Sequence, residues 1–203
     1  MNFNNPLAFL QRAVDLFCLD STPDYVQQGC GSELGGIIAV GFIEAGVVID
    51  EDNVTATLEN AAWWTGNVQT SPSSRFVVLN TRGSKAAGTP VEEDGYGLVP
   101  VERTGDDKEL PFSALGVMKN RRFWASVNQR RGWGMVYVTA GTDADGNYNA
   151  FYAKNVSVYG DIAIDQSIRS RIRWDANAKW SSAMVPDLPF AFPAQVLTDL
   201  AAA

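Results

Sequence analysis

The chain has 203 residues, of which 46% are hydrophobic and 19% charged, and a formal net charge of −7, a balance that predicts one globular domain with a sizeable core. Histidine is absent and only two cysteines occur, which excludes Ser-His-Asp and Cys-His catalysis, His-ligated metals and a disulfide scaffold. The acidic balance argues against a general nucleic-acid-binding protein.

The N-terminal part predicts a helix in a cytosolic setting. Residues 6–18 place apolar side chains at helical spacing, and Asn5 and Pro6 suit the start of a helix. The first residues lack the basic start and small-residue cleavage site of a signal peptide, so we expect none. We expect Cys18 and Cys30 to be free thiols in a reducing cytosol.

Two stretches between residues 29 and 49 partly match known signals. Gly29, Gly31 and Gly35 resemble a dinucleotide-binding fingerprint, but no predicted strand precedes them, so we expect no cofactor. The apolar stretch from Gly35 to Ile49 is interrupted by Glu44 and is too short to span a bilayer.

Apolar runs bounded by turn signals predict a series of strands after the first helix. They lie at Ile37–Ile43, Val47–Ile49, Phe76–Leu79, residues 109–118, Trp133–Ala140 and Tyr148–Lys154. Residues 54–64 predict a short helix, and Asn120–Arg131 predict a longer one with Phe123, Trp124 and Val127 facing inward.

The segment Asp143–Gly146 predicts a hairpin turn between two of these strands. It also resembles the start of a calcium-binding loop, but the glycine comes two positions early and no glutamate closes the loop. We therefore expect a turn without a metal.

Residues 81–108 are the longest stretch without periodicity, which predicts a long loop that is functional or ordered by a partner. Its cluster of Glu92, Glu93 and Asp94 has the oxygen ligands that a hard cation prefers. Neighbouring residues of an extended chain point to opposite sides, however, so we favour a solvated acidic loop.

Residues 164–180 alternate between apolar and polar side chains, and every odd-numbered residue is polar. Alternation over 17 residues predicts one long strand with a buried face and a face turned to water or a partner. A bend near Ser170 or Asp175 would divide it. An undivided strand would span about 55 Å, more than a small domain covers, which predicts a projecting hairpin that pairs with neighbouring copies.

Charged residues form blocks of opposite sign along the chain. Residues 1–60 hold nine acids and one base, and residues 88–109 hold seven acids and two bases. Residues 61–87 and 110–131 hold three and five bases and no acid. These blocks either neutralise one another within one fold or lie on opposite surfaces that meet between copies.

Two basic clusters are candidates for such contacts. Arg121 and Arg122 belong to a group of five bases around two aromatic residues, a pattern typical of nucleic-acid binding, but the overall acidity favours pairing with acidic loops of this or a neighbouring chain. Arg169, Arg171 and Arg173 share one strand face, and we favour their pairing with carboxylates across the sheet.

The order of these parts resembles the major tail tube proteins of long-tailed bacteriophages, which share a fold with the ring protein of type VI secretion. The resemblance covers roughly residues 35–185, with an early loop at Thr81–Lys108, one helix at Asn120–Arg131 and a hairpin series at Trp133–Trp180. Within the loop, Gly88–Gly97 resembles the arm with which such rings contact the next ring.

The resemblance implies a mainly β fold: a β-sandwich or barrel with a long projecting hairpin, one helix between strands and a short N-terminal helix. Residues 1–34 would form an N-terminal arm and residues 35–203 the tube-forming domain. The copies would form a homo-hexameric ring, and stacked rings a tube in the virion tail, assembled in the host cytoplasm. DNA would pass through the lumen without specific binding, other tail proteins would be further partners, and no catalysis, cofactor, metal or membrane is implied.

Under this interpretation a set of charged residues makes the contacts between subunits or rings. They are Glu92, Glu93, Asp94, Arg121, Arg122, Arg169, Arg171 and Arg173. A wall of like charge lets DNA pass, and a head-to-tail stack needs two complementary surfaces.

Three other functions stay open at this point. The chain could be another phage structural protein, such as a capsid-decorating protein or a tail adaptor. It could be a carbohydrate-binding β-sandwich, which predicts that one of five tryptophans is exposed on a concave face. These are Trp63, Trp64, Trp133, Trp174 and Trp180. An enzyme that uses only carboxylates with lysine or tyrosine is the remaining hypothesis, although no spacing indicates its site.

Overall fold

The structure is a computed structural model that describes residues 35–45, 47, 49–50, 52–65, 75–93, 102–167, 170–182 and 187–202. Within these ranges the chain forms eight strands in one antiparallel sheet and three helices, so the fold is mainly β, as the sequence predicts. The strands are β1 (Ile37–Ile43), β2 (Arg75–Gly83), β3 (Thr89–Glu93), β4 (Glu102–Ala114), β5 (Trp133–Thr142), β6 (Tyr148–Ala163), β7 (Arg173–Ser182) and β8 (Leu188–Phe192). The helices are α1 (Ala61–Thr65), α2 (Arg121–Gln129) and α3 (Ala194–Ala202).

The strand pairings run in a closed circuit. The order is β2-β1-β5-β6-β7-β4, and β4 pairs again with β2, from Thr81 opposite Ala114 to Gly83 opposite Phe112. An added Cβ on Gly83 would lie 2.9 Å from the carbonyl oxygen of Pro111, so the missing side chain lets the two strands approach here. β3 pairs with β4, and β8 with β6, outside this circuit, which gives a sandwich-like fold.

The first core lies within the circuit and is built largely from aromatic side chains. Phe42 on β1 packs against Phe112 of β4, with ring centroids 6.4 Å apart, and against Trp133 of β5 at 6.0 Å. Trp124 of α2 stacks on Trp174 of β7 at 5.4 Å. All five side chains are at most 6% exposed. Burial of each contributes about 1.5–3 kcal/mol, so α2 is an integral part of this core.

A second core covers the opposite face of β2, β1, β5 and β6. Residues of these strands that point away from the first core meet Trp64 of α1, Phe192 of β8 and Val196 of α3. The indole N–H of Trp64 donates to the carbonyl oxygen of Leu58 at 2.8 Å, which satisfies a fully buried donor. The outer face of β6, β7 and β4, in contrast, is open in the described part of the chain.

α2 also occupies an edge of β6. The side-chain amide of Asn128 donates to the carbonyl oxygen of Gly160 at 2.8 Å, and its Oδ1 accepts from the Gly160 N–H at 3.0 Å. The amide therefore takes the place of a neighbouring strand at this point. Gly160 lies opposite Ala176, and an added Cβ would lie 2.5 Å from Nε1 of Trp174, so this position has no room for a side chain.

Several predicted elements are confirmed. β1 coincides with the predicted strand Ile37–Ile43, and β5 and β6 contain the strands predicted from Trp133 and Tyr148. α2 lies within the predicted helix Asn120–Arg131, with Trp124 buried as expected. These elements have strong local apolar patterns, which is why the sequence identifies them.

The hairpin turn at Asp143–Gly146 is also confirmed. Oδ1 of Asp143 accepts hydrogen bonds from the backbone N–H groups of Asp145 at 2.9 Å and Asn147 at 2.8 Å. Gly146 has a φ of 84°, a left-handed conformation that glycine adopts without strain. The Asp143 carboxylate thus stabilises the turn that joins β5 to β6.

Other predicted elements have different bounds. The strand predicted at Phe76–Leu79 is part of the longer β2, and the strand predicted at residues 109–118 is part of β4, which ends at Ala114. Residues 52–59 form turns ahead of α1 where a single helix over 54–64 is predicted, and the described residues 47 and 49 are not in a strand. The predicted helix at residues 6–18 and both cysteines lie outside the described residues.

The prediction of one continuous strand over residues 164–180 is wrong. β6 ends at Ala163 and β7 begins at Arg173. Between them the N–H of Ser170 donates to the carbonyl oxygen of Ser167 at 3.0 Å, so the break lies near Ser170, one of the two positions where the sequence predicts a bend. Ile164 is 73% and Ile172 41% exposed, so the described apolar residues of the first half of the alternation are not buried. The sequence gives no further sign of this break, because the segment has no glycine or proline and polar and apolar residues continue to alternate through it. In β7 the alternation is genuine.

The prediction of a long loop over residues 81–108 is also wrong. Its start belongs to β2, its middle contains β3, and its end is the first half of β4, while residues 94–101 lie outside the description. The described side chains of β3 are exposed, so this strand has no apolar face that periodicity could detect. Pairing with β4 holds it extended.

Candidate functional site

The β3–β4 hairpin lies at an edge of the sheet and is acidic. Glu92 is exposed and lies opposite Arg103, and Glu93 lies opposite Glu102. Arg103 forms an ion pair with Asp106 on its own strand. Among the described residues Glu92 has no ion pair, and the predicted contact Asp94 lies outside the description. Within the described residues the hairpin therefore presents at least one carboxylate, that of Glu92, without an ion pair.

The opposite end of β4 is basic. β4 has 13 residues and spans about 40 Å at roughly 3.4 Å per residue. At its far end lies an open groove of about 740 Å³, and Arg82, Arg171 and Arg173 are among its lining residues. α2 follows shortly after β4, and its first turn carries the exposed Arg121 and Arg122. Of the contact residues predicted from the sequence, Glu92 and Glu93 thus lie at one end of β4 and Arg171 and Arg173 at the other, while Arg169 lies outside the description.

The basic residues differ in whether they have partners. Arg173 donates to Asp165 at 2.7 Å and to Asp175 at 2.9 Å, and its hydrogen bond to Asp165, followed by that to Asp175, raises the pKa of this guanidinium. Arg173 thus pairs with carboxylates, but not across the sheet as predicted, because Asp165 lies beyond the end of β6 and Asp175 lies on the same strand. Arg171 is exposed and has no ion pair among the described residues, and Arg169 lies outside them.

The open outer face of β6, β7 and β4 is polar. Cross-strand neighbours form rows on it, such as Ser157, Lys179 and Glu109, and Lys179 lies 3.8 Å from the Glu109 carboxylate. Next to this row, the amide of Asn177 donates to Glu109 at 3.2 Å. The same face carries four carboxylates and three cations, at Asp107, Glu109, Asp161, Asp175, Lys154, Arg173 and Lys179. This face is a water-accessible surface with an excess of negative charge.

Sequence reasoning missed a buried charged cluster around Asp187. Its Oδ1 accepts from Lys108 Nζ at 3.1 Å and from the indole of Trp180 at 3.0 Å. Its Oδ2 accepts from the hydroxyl of Tyr137 at 2.6 Å and lies 3.6 Å from Lys85 Nζ. The side chains of Asp187 and Lys108 are only 4% and 6% exposed. Four segments distant in sequence therefore converge on one carboxylate.

The cluster also changes the chemistry of Tyr137. Desolvation by burial, followed by the hydrogen bond to Asp187 and its negative charge, raises the pKa of the tyrosine far above its usual value. A sequence signal for the cluster exists: Lys108 occupies the inward register of β4 together with Leu110 and Phe112. A lysine in an inward register requires a buried counterion, although nothing local identifies Asp187.

The tryptophans do not form the exposed platform that carbohydrate binding predicts. Trp64, Trp133, Trp174 and Trp180 are at most 6% exposed. Trp63 is partly buried, and the guanidinium of Arg75 lies 3.7 Å from its ring centroid. The expected exposure of these residues on a concave face is therefore wrong.

Within the described ranges, none of the helices has both the length and the apolar character needed to cross a bilayer.

A scan against models of known protein families finds no match to this chain. A search of curated proteins likewise finds no sequence that matches it.

Proposed function

We propose that this chain is a self-assembling structural subunit of the tail tube of a long-tailed bacteriophage. The observation that supports this most is the separation of charge along β4, with the acidic β3–β4 hairpin at one end and, at the other, Arg82 and Arg171, which form no ion pair among the described residues. Two different but complementary surfaces make a head-to-tail contact that repeats from copy to copy. In this proposal the hairpin of one copy contacts the basic end of the next, so that rings stack.

Strand edges support lateral assembly into a ring. β3 pairs with β4 and β8 pairs with β6, and within the described sheet the other edge of each is left without a strand partner. Such edges carry backbone N–H and C=O groups that recruit further strands, and closure into a ring removes them. We propose a ring of six copies, following the resemblance found in the sequence.

The open face of β6, β7 and β4 suits the wall of a lumen. Its carboxylates, among them Asp161 and Asp175, outnumber its cations. Because DNA phosphates are repelled by like charge, a wall of this kind does not retain DNA that passes along it. The buried tryptophans, in contrast, leave the carbohydrate-binding alternative without an observation in its favour.

Charge reversal at either end of β4 tests the proposal. We expect the purified protein to form rings or tubes in negative-stain images and to sediment as an oligomer. Arg171→Glu and Glu92→Lys should each prevent this assembly, since each creates like-charge contacts between copies. Both residues are exposed, so the free energy of unfolding of the monomer, measured by thermal unfolding, should change by no more than about 0.5 kcal/mol.

Lys154→Glu is the matched control, because Lys154 is exposed in the middle of β6, away from both ends of β4. This variant should assemble normally. A strictly monomeric wild-type protein at high concentration, or normal assembly of Arg171→Glu, would contradict the proposal. Antibody labelling of intact virions would then separate a tail tube from a capsid decoration or a tail adaptor.

A further inference from the structure

The groove at the end of β4 combines an irregular backbone with cations that have no partner. We propose that it is a binding site for small multivalent oxyanions, with inorganic pyrophosphate as the representative ligand. A single chain supplies all the described residues that line the groove. Arg171 is also a contact residue in the assembly proposed above, so pyrophosphate binding is measured on unassembled protein.

The backbone irregularity lies in β2. Asn80 has a φ of 56°, in the left-handed region that residues other than glycine seldom adopt. The pairing of β1 with β2 shifts register beside it, between Ile37 and Ala39. Just beyond Asn80, β2 gains β4 as a second neighbour, and Asn80 and Arg82 both line the groove. Backbone strain of this kind concentrates at ligand and switch sites.

The charges in the groove are unevenly matched. Asp165 and Asp175 are both engaged by Arg173, which leaves their negative charge neutralised in part and their positions held. Arg82 and Arg171 are exposed and have no ion pair among the described residues. The described lining thus holds three arginines and two carboxylates, a net charge of +1 on a chain whose net charge is −7, which gives a local site of positive potential.

The remaining lining matches an oxyanion. Ser113 and Ser170 add hydroxyl groups beside the two free guanidinium groups, and Asn80 adds a side-chain amide. A guanidinium donates two parallel N–H bonds to the oxygens of one phosphoryl group, which a single ammonium does not do. Pyrophosphate has two phosphoryl groups, one for each free arginine, so it should bind more tightly than phosphate.

Isothermal titration of the wild-type chain with pyrophosphate, at constant ionic strength, tests this site. We expect saturable 1:1 binding and weaker binding of inorganic phosphate. Arg82→Gln and Arg171→Gln should each raise Kd by about tenfold or more, the loss expected for a hydrogen bond to a charged group. Thermal unfolding of each variant without ligand shows that it is folded.

Arg131→Gln is the matched control, because Arg131 is exposed and does not line the groove. It should bind pyrophosphate as the wild type does. The proposal is overturned if wild-type binding does not saturate, if the control loses as much affinity as the groove variants, or if phosphate binds as tightly as pyrophosphate. The same titration of Glu92→Lys, which keeps the groove and is expected to stay unassembled, separates these outcomes from tube formation.

Discussion

Replacement of Asp187 by asparagine removes the charge at the centre of the buried cluster while nearly preserving its shape. In Asp187→Asn, Lys108 keeps a positive charge in a side chain that is 6% exposed and loses the carboxylate 3.1 Å away. Lys85 loses the same counterion at 3.6 Å. Removing one partner of a buried ion pair costs about 3–5 kcal/mol. Since each kcal/mol lowers the Tm of a domain of this size by about 2–4 °C, we expect a decrease of about 6–20 °C.

Thermal and urea unfolding followed by circular dichroism measure this change. Asp165→Asn is the matched control, because Asp165 also pairs with an arginine but its side chain is 42% exposed. An exposed ion pair contributes at most about 1 kcal/mol, so the control should lose little stability. If Asp187→Asn were no less stable than Asp165→Asn, the cluster would not act as a buried charge pair and the reasoning would be refuted.

Two further predictions concern the sheet. Gly160→Ala places a Cβ 2.5 Å from Nε1 of Trp174 and 2.7 Å from Cβ of Ala176. It should therefore lower the free energy of unfolding by about 1–3 kcal/mol. An unchanged midpoint of urea unfolding would contradict this, since it would show that β6 and β7 move apart without a loss of stability. Burial raises the pKa of Tyr137 above its usual 10.0, so only the unfolded tyrosine ionises just above pH 10 and stability falls as pH rises further. Tyr137→Phe should reduce the loss of stability that urea unfolding measures above pH 10. A variant that loses as much stability as the wild type would contradict the prediction.

Elements with a strong local pattern were predictable. The run Ile37–Ile43 is visible in the sequence as a continuous apolar stretch, and β7 is visible as an alternation of polar and apolar residues. The helix α2 is equally visible, since its apolar residues recur at helical spacing and contact the core on one side. Turn chemistry at Asp143–Gly146 is also local, because one aspartate supplies the hydrogen bonds.

Elements held by distant partners were not predictable. β3 exists because β4 pairs with it, and its described side chains remain exposed on both sides of the strand. The break between β6 and β7 depends on a turn without glycine or proline, and Arg173 joins both sides of it by pairing with Asp165. Alternating polarity continues through the turn, so periodicity mistakes a hairpin for one strand.

The candidate surfaces were also predictable from the sequence only in part. The amino-acid sequence alone determined the mainly β character and the alternating blocks of charge, because composition and local period carry both. Only the tertiary structure decided that Glu92 and Arg171 lie toward opposite ends of β4, and that Lys108 and Asp187, 79 residues apart, share a buried contact. Such pairs arise where strands distant in sequence become neighbours, and the free energy of burying a charge depends on the neighbour that the fold supplies.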